Sequence, residues 1–175
     1  MIFDRLAESI AMTRSRAAEA SRLDRLEIRP FQPSDSDAVI GLWQSCNLVR
    51  PWNSPSKDIA RKLLMNPEWF LVATLGGRIV GSIMVGYEGH RGSVNYLAVA
   101  PGFRREKIGT RLMERAEALL RAVGCPKINL MVRIEGKEEL SRFYEDLGFR
   151  QDAVICYGKR LENDEEEKST QEVTD

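Results

Sequence analysis

The stretch VNYLAVAPGFRREKIGTRL, residues 94–112, carries the strongest structural signal in the chain. Its first half reads as a strand, which Pro101-Gly102 stops. A basic turn follows and opens straight into a helical pattern: Ile108, Leu112, Ala116, Leu119, Leu120 and Val123 fall along one stripe, and Gly124 closes the run. A helix entered this way presents unpaired backbone N–H groups and a partial positive charge at its first turn, a natural seat for a phosphate. Arg104, Arg105 and Lys107 add charge there, and Gly109 lets the first turn approach a ligand without a side chain in the way. Basic residues also occur at solvated turns, so this stretch alone leaves both readings open.

Strands and helices alternate on both sides of it. Upstream, Leu26–Phe31 reads as a strand, Pro33-Ser34-Asp35 punctuates it, and Val39, Leu42, Trp43 and Cys46 recur at helical spacing. The loop Asn47–Asn53 contains Pro51 and Trp52, after which Ser54-Pro55 supplies an N-cap and first-turn proline for a short helix to about Met65. Trp69–Leu75 and Arg78–Tyr87 are β-rich runs joined by Gly76-Gly77, a hairpin signal; Glu88–Gly92 makes the next turn, and Ser93–Ala100 is a fourth strand. A helix over Lys107–Val123 follows, then a fifth strand over Lys127–Val132. Leu140, Phe143, Tyr144 and Leu147 mark another helix ending at Gly148, and Phe149–Lys159 reads as a last strand. The order β-α-α-β-β-β-α-β-α-β predicts an α/β fold with a mixed (α+β) sheet, as one domain over residues 26–161.

Flanking segments differ in character. Residues 1–25 read as an N-terminal helical extension with Phe3, Leu6, Ile10 and Ala17 near one face; Asp4, Glu8 and Glu19 argue against an organellar targeting peptide. It is expected to pack on the domain or on a partner subunit, an arrangement that allows a homodimer. Residues 162–175 read as a disordered acidic tail, with seven acidic side chains against Lys168; its −6 leaves +6 on residues 1–161.

At 175 residues, 43% apolar and 30% charged, the chain has room for one core. No stretch approaches the roughly 18 uninterrupted apolar residues of a membrane span, and no secretory signal opens the chain, so a soluble cytoplasmic protein with no membrane partner is expected. The pI of 6.6 and the lack of a basic-aromatic array argue against a nucleic-acid partner. Cys46, Cys125 and Cys156 are odd in number and widely spaced, which suggests reduced core thiols rather than disulfides or a metal site.

A second motif joins the first at residues 143–149, Phe-Tyr-Glu-Asp-Leu-Gly-Phe. With the turn Arg104-Arg105-Glu106-Lys107-Ile108-Gly109, in this order and separation, the chain resembles the GNAT acetyltransferase superfamily over roughly residues 26–160. In that family the fourth strand leads into a Gln/Arg-x-x-Gly-x-Gly/Ala turn, and a later helix carries a tyrosine in a Tyr-x-x-Leu-Gly-Phe run. Arg-Pro-Trp-Asn at 50–53 with Gly-Tyr-Glu-Gly-His-Arg-Gly at 86–92 further resembles its YpeA-type subgroup. The resemblance implies a GNAT-type acyl-CoA N-acyltransferase fold and transfer of acetyl from acetyl-CoA to an amine acceptor in a ternary complex. It implies that Leu97, Ala98 and Val99 pair with the pantetheine arm and that Arg104, Arg105, Glu106, Lys107, Ile108, Gly109 and Thr110 hold the diphosphate. Tyr144 then sits near the sulfur as general acid; on spacing alone it reads as a core aromatic.

Three positions depart from the family pattern. Lys107 stands where the first glycine of the phosphate turn is usual, and Lys137, counted with the cofactor residues, replaces an asparagine seven residues before the tyrosine. Asn95 stands where many relatives carry a glutamate that takes the amine's proton, and an amide cannot act as a base. A base is sought instead in Glu88, His90, Glu68 or a water held by Asn95 and Tyr96; His90 reads equally as a loop residue. The departures also motivate an alternative reading, a GNAT-shaped module that binds acyl-CoA without turnover. Arg50 and Trp52 are expected to border the acceptor, although Pro51 and Trp52 also suit packing of the early helices on the sheet.

Overall fold

The computed structural model describes residues 24–133, 137–162 and 164, and of Lys137 the backbone alone. All but Asp24 and Arg25 of the N-terminal extension, and the tail beyond Asp164, lie outside the described residues.

Five strands form one sheet in the order β1-β2-β3-β4-β5: β1 Leu26–Pro30, β2 Phe70–Leu75, β3 Arg78–Tyr87, β4 Gly92–Val99 and β5 Ile128–Leu130. The first four are antiparallel neighbours, and β5 joins β4 in parallel. The β2–β3 hairpin turns through Gly76 and Gly77 at φ 58° and 78°, the left-handed pair that a two-residue turn demands, with Leu75 opposite Arg78. Helices α1 (Ser36–Ser45) and α2 (Pro55–Leu63) cover one face; α3 (Ile108–Ala122) and α4 (Lys137–Asp146) belong to the other. Ser54 caps α2 by accepting from the Lys57 N–H at 3.4 Å, with Pro55 in its first turn, as the sequence predicts.

Alternation along the strands divides the core. Phe70, Val72, Met84 and Ala98 point to Val39, Leu42, Trp43 and Ile59; Leu71, Ala73, Ile83, Val85 and Val94 point to Ile108, Leu112, Met113, Ala116 and Leu120 of α3. In the predicted α3 stripe, Val123 is exposed at the C-cap and Met113 takes a buried place instead. At Gly81 a Cβ would stand 3.0 Å from Leu112 and 3.1 Å from the Ala98 carbonyl, so its absence lets the start of α3 lie close on the sheet.

The C-terminal part differs from the sequence expectation. Phe149–Lys159 forms no strand, and Val154, Ile155 and Tyr157 are exposed. The segment meets the β5 region through side chains, Lys127 with Asp152 and Cys156 with Met131. A β-rich sequence becomes a strand only where a partner backbone completes the ladder, and β5, three residues long, offers little of one. The cysteines are free, but only Cys46 and Cys125 are half-buried, while Cys156 is exposed on that unpaired segment rather than in the core. In the acidic tail, Asp164 is buried against α2, where Arg61 donates to both its oxygens at 2.5 and 2.7 Å. Among the described residues no helix is long and apolar enough to cross a membrane, and no group of side chains is suited to hold a metal ion.

Candidate active site

β4 and β5 part at a fork, beside which lie the candidate residues of β4 and of the turn into α3. β5 pairs with Gly92, Ser93 and Val94 only, so among the described residues the outer edge of β4 from Asn95 to Val99 faces no strand. Leu97 and Val99 lean toward α3 and Ala98 is buried toward α1, while the Val99 carbonyl accepts from the Cys46 thiol at 3.3 Å. Beyond Val99 the chain makes the tight turn Pro101–Phe103, and Arg105 and Lys107 both adopt left-handed backbone, φ 67° and 54°. Lys107 is the N-cap of α3, and its own side chain makes no capping bond. Its backbone thus takes the shape a glycine would, and its side chain is exposed together with those of Arg104 and Arg105. Glu106 and Thr110 are half-buried, and the Ile108 side chain belongs to the core, which leaves its N–H for the turn.

Gly109 also has a packing role. A Cβ there would meet the Phe143 ring at 3.3 Å and Val99 at 3.6 Å, so its missing side chain makes room for α4 against β4. This contact also locates Tyr144. Its ring packs edge-on against Phe143 at 5.1 Å and against Phe149 at 5.8 Å, one ring away from the start of α3 and the end of β4. Burial raises the Tyr144 phenol above the ordinary tyrosine range, so the group is protonated at neutral pH. Lys137 is the first residue of α4.

The candidate bases fall apart. Glu88 is exposed in the β3–β4 turn, where its carboxylate accepts from the His90 and Arg91 N–H groups at 2.8 and 2.7 Å. Those two bonds hold its carboxyl below the ordinary range and make it a poorer base. His90 is exposed in the same turn, five residues before Asn95, roughly 17 Å along an extended chain at about 3.3 Å per residue. Glu68 lies exposed in the turn before β2. Asn95 is exposed opposite Met84, as the first residue of the open edge.

Sequence reasoning missed the feature next to it. β3 and β4 slip register between Ser82 and Met84, where Tyr96 and Leu97 oppose the single residue Ile83, and Tyr96 is left-handed at φ 51°. A buried chain fixes this bulge: Trp43 Nε1 donates to Ser82 Oγ at 2.9 Å, and Ser82 Oγ donates to the Tyr96 carbonyl at 3.1 Å. The Tyr96 ring stacks on Trp43 at 3.9 Å, and its hydroxyl donates to Asp58 Oδ2 at 2.5 Å. Burial first, then Asp58, raise the Tyr96 phenol far above its ordinary value. Residues 38 positions apart make this pair, and no local pattern announces it. Nearby, Arg160 lies over the exposed Trp52 ring at 5.9 Å and donates to its carbonyl at 2.7 Å. Arg50 is spent on its own loop, donating to the Asn47 carbonyl at 2.8 Å.

The first turn of α3 thus follows a left-handed turn and lies beside the open edge of β4, with the protonated Tyr144 one ring away. Residues 36–149 match the acetyltransferase (GNAT) family, and the chain belongs to that family; it is an acetyltransferase. Among its relatives are acetyltransferases of Yersinia enterocolitica, 51% identical over 141 residues, and Sodalis glossinidius, 51% over 142; each match spans 81% of this chain and 99% of the relative. Among solved structures, Ard1 from Thermoplasma volcanium superposes with a TM-score of 0.66 at 29% identity, covering 74% of this chain and 85% of that one. AAC(6')-Iy in complex with a bisubstrate analogue, CoA-S-monomethyl-acetylneamine, shares the fold at 18% identity, with a TM-score of 0.63 over 77% of this chain and 98% of that one.

Proposed function

We propose that this acetyltransferase takes its acetyl group from acetyl-CoA and transfers it to a primary amine, on a small molecule or a peptide, by direct attack with both substrates bound. The observation that carries the reading is the left-handed turn through Arg105 and Lys107 into the first turn of α3, beside the edge of β4 that no described strand pairs. The residues present fit a CoA donor. First-turn N–H groups over residues 105–110, with the exposed charges of Arg104, Arg105 and Lys107, suit a diphosphate. The backbone of Leu97–Val99 suits an extended amide-bearing arm that pairs as an added strand. Acetyl-CoA, when bound, supplies the acyl group as a thioester with a thiol leaving group. Tyr144, kept protonated by burial, serves as the acid for the departing sulfur, and Asn95 orients a water at the fork. The CoA-containing analogue held by AAC(6')-Iy on the same fold supports this choice of donor. The reading includes a cytoplasmic setting, where the free thiols of Cys46, Cys125 and Cys156 stay reduced.

Titration calorimetry with acetyl-CoA and with desulfo-CoA tests the reading. Both are expected to bind, and failure of both at millimolar concentration rejects it. Binding without acetylation of any member of a broad amine and peptide panel supports the non-catalytic acyl-CoA module instead.

A further inference from the structure

Tyr96 sits where β4 ceases to be shared. From Val94 backward the outer edge of β4 belongs to β5, and from Asn95 forward it faces no described strand. An extended arm anchored at the start of α3 and paired along β4 therefore runs out of edge at Asn95 and Tyr96, and its reactive end belongs there. The left-handed conformation of Tyr96 is held by three contacts: the stack on Trp43, the bond from Ser82 to its carbonyl, and the bond from its hydroxyl to Asp58. Strain fixed from several sides marks positions where geometry matters to function. Asp58 is a partly exposed carboxylate on α2, with the Arg61 guanidinium 3.3 Å away and engaged in turn by Asp164. Around the phenol stand Asn53, which hydrogen-bonds it, and the charge of Arg133.

We infer that Asp58, acting through the Tyr96 hydroxyl, takes the proton that the acceptor amine loses during acetyl transfer, the task for which Asn95 has no basic group. The inference rests on the reading above. The amine nitrogen forms a bond to the acyl carbon, the carbon–sulfur bond breaks with its electron pair on sulfur, and Tyr144 protonates that sulfur. The nitrogen passes its surplus proton to Tyr96 Oη as the hydroxyl proton moves to Asp58, which releases it to solvent, while Tyr144 takes a proton back from solvent. Tyr96 relays and does not ionise, because its phenol holds its proton more tightly than an ordinary tyrosine. The pair also fits an acceptor that arrives as a cation, since a carboxylate-backed phenol oxygen attracts an ammonium group.

The test uses the full chain, methylamine as the acceptor probe, and two variants. Asp58→Asn keeps an oxygen for the Tyr96 hydroxyl but cannot take a proton; Tyr96→Phe removes the relay. Single-turnover release of CoA thiol is expected to fall about 100-fold or more in both, with the acetyl-CoA dissociation constant within a factor of about two of wild type. The solvent deuterium effect of the wild type should shrink in Asp58→Asn. Without cofactor, ultraviolet titration should show two phenols, Tyr96 and Tyr144, ionising above the ordinary range, the higher of the two absent in Tyr96→Phe and shifted to lower pH in Asp58→Asn. Equal release by all three proteins with acetyl-CoA bound, equally undetectable release included, overturns the assignment. Absence of acetyl-CoA binding in all three removes the donor reading itself, and this inference with it.

Discussion

Replacing Ser82 by alanine isolates the device that shapes the fork. Ser82 and Trp43 are fully buried, and the serine hydroxyl both accepts from Trp43 Nε1 at 2.9 Å and donates to the Tyr96 carbonyl at 3.1 Å. Alanine fills nearly the same space, so the loss is polar: the indole N–H is left buried without a partner, and the bulge carbonyl loses its side-chain donor. A stranded buried donor costs about 1–3 kcal/mol, which makes about 2 kcal/mol the expected loss. For a chain of this length that lowers Tm by roughly 4–8 °C. Urea unfolding of wild type, Ser82→Ala, Trp43→Phe and the double variant completes the cycle. In the double variant no donor is orphaned, so the two single losses should exceed the combined loss by about 1–2 kcal/mol. A Ser82→Ala loss below about 0.5 kcal/mol, or additivity across the cycle, refutes the claim that this hydroxyl holds the bulge.

Three further predictions follow from single contacts. Lys107 pays for its left-handed backbone, so Lys107→Gly should leave the urea midpoint nearly unchanged, relief of strain offsetting glycine's added chain entropy, whereas Lys107→Val should cost about 1–2 kcal/mol. Tyr144→Phe should lower kcat about 100-fold or more while leaving the acetyl-CoA dissociation constant unchanged; an unaltered kcat removes its acid role. The lowered carboxyl of Glu88 stabilises the fold above the ordinary glutamate value, and that contribution is lost as pH falls through the lower folded value. Glu88→Gln should therefore reduce Tm at neutral pH, with a difference that shrinks in acid below about pH 4; a gap independent of pH counts against the turn-capping role.

Much of the fold was legible because its determinants are local. Gly76-Gly77 wrote its own hairpin, Ser54-Pro55 its own helix start, and the α3 stripe its buried face, since turn geometry, capping and helical periodicity each act within a few residues. The turn into α3 was legible for the same reason, and Lys107 holds a glycine's conformation despite departing from the family pattern. The last strand was misread because alternation states a preference that pairing must complete, and the short β5 leaves Phe149–Lys159 without a ladder.

What the tertiary structure alone decided lies in the meeting of distant segments. Gly109 proved to seat Phe143, Glu88 to cap a turn, and Asp164 to dock on Arg61, each through a partner that adjacency in the chain does not name. The sequence by itself determined the strand-turn-helix and the tyrosine motif, whose residues interact within their own turns. It did not determine that Asp58 reaches Tyr96, because that depends on a one-residue register slip between β3 and β4 and on where α2 packs against the sheet. Such a slip changes which side chains face one another without changing the composition or periodicity of either strand.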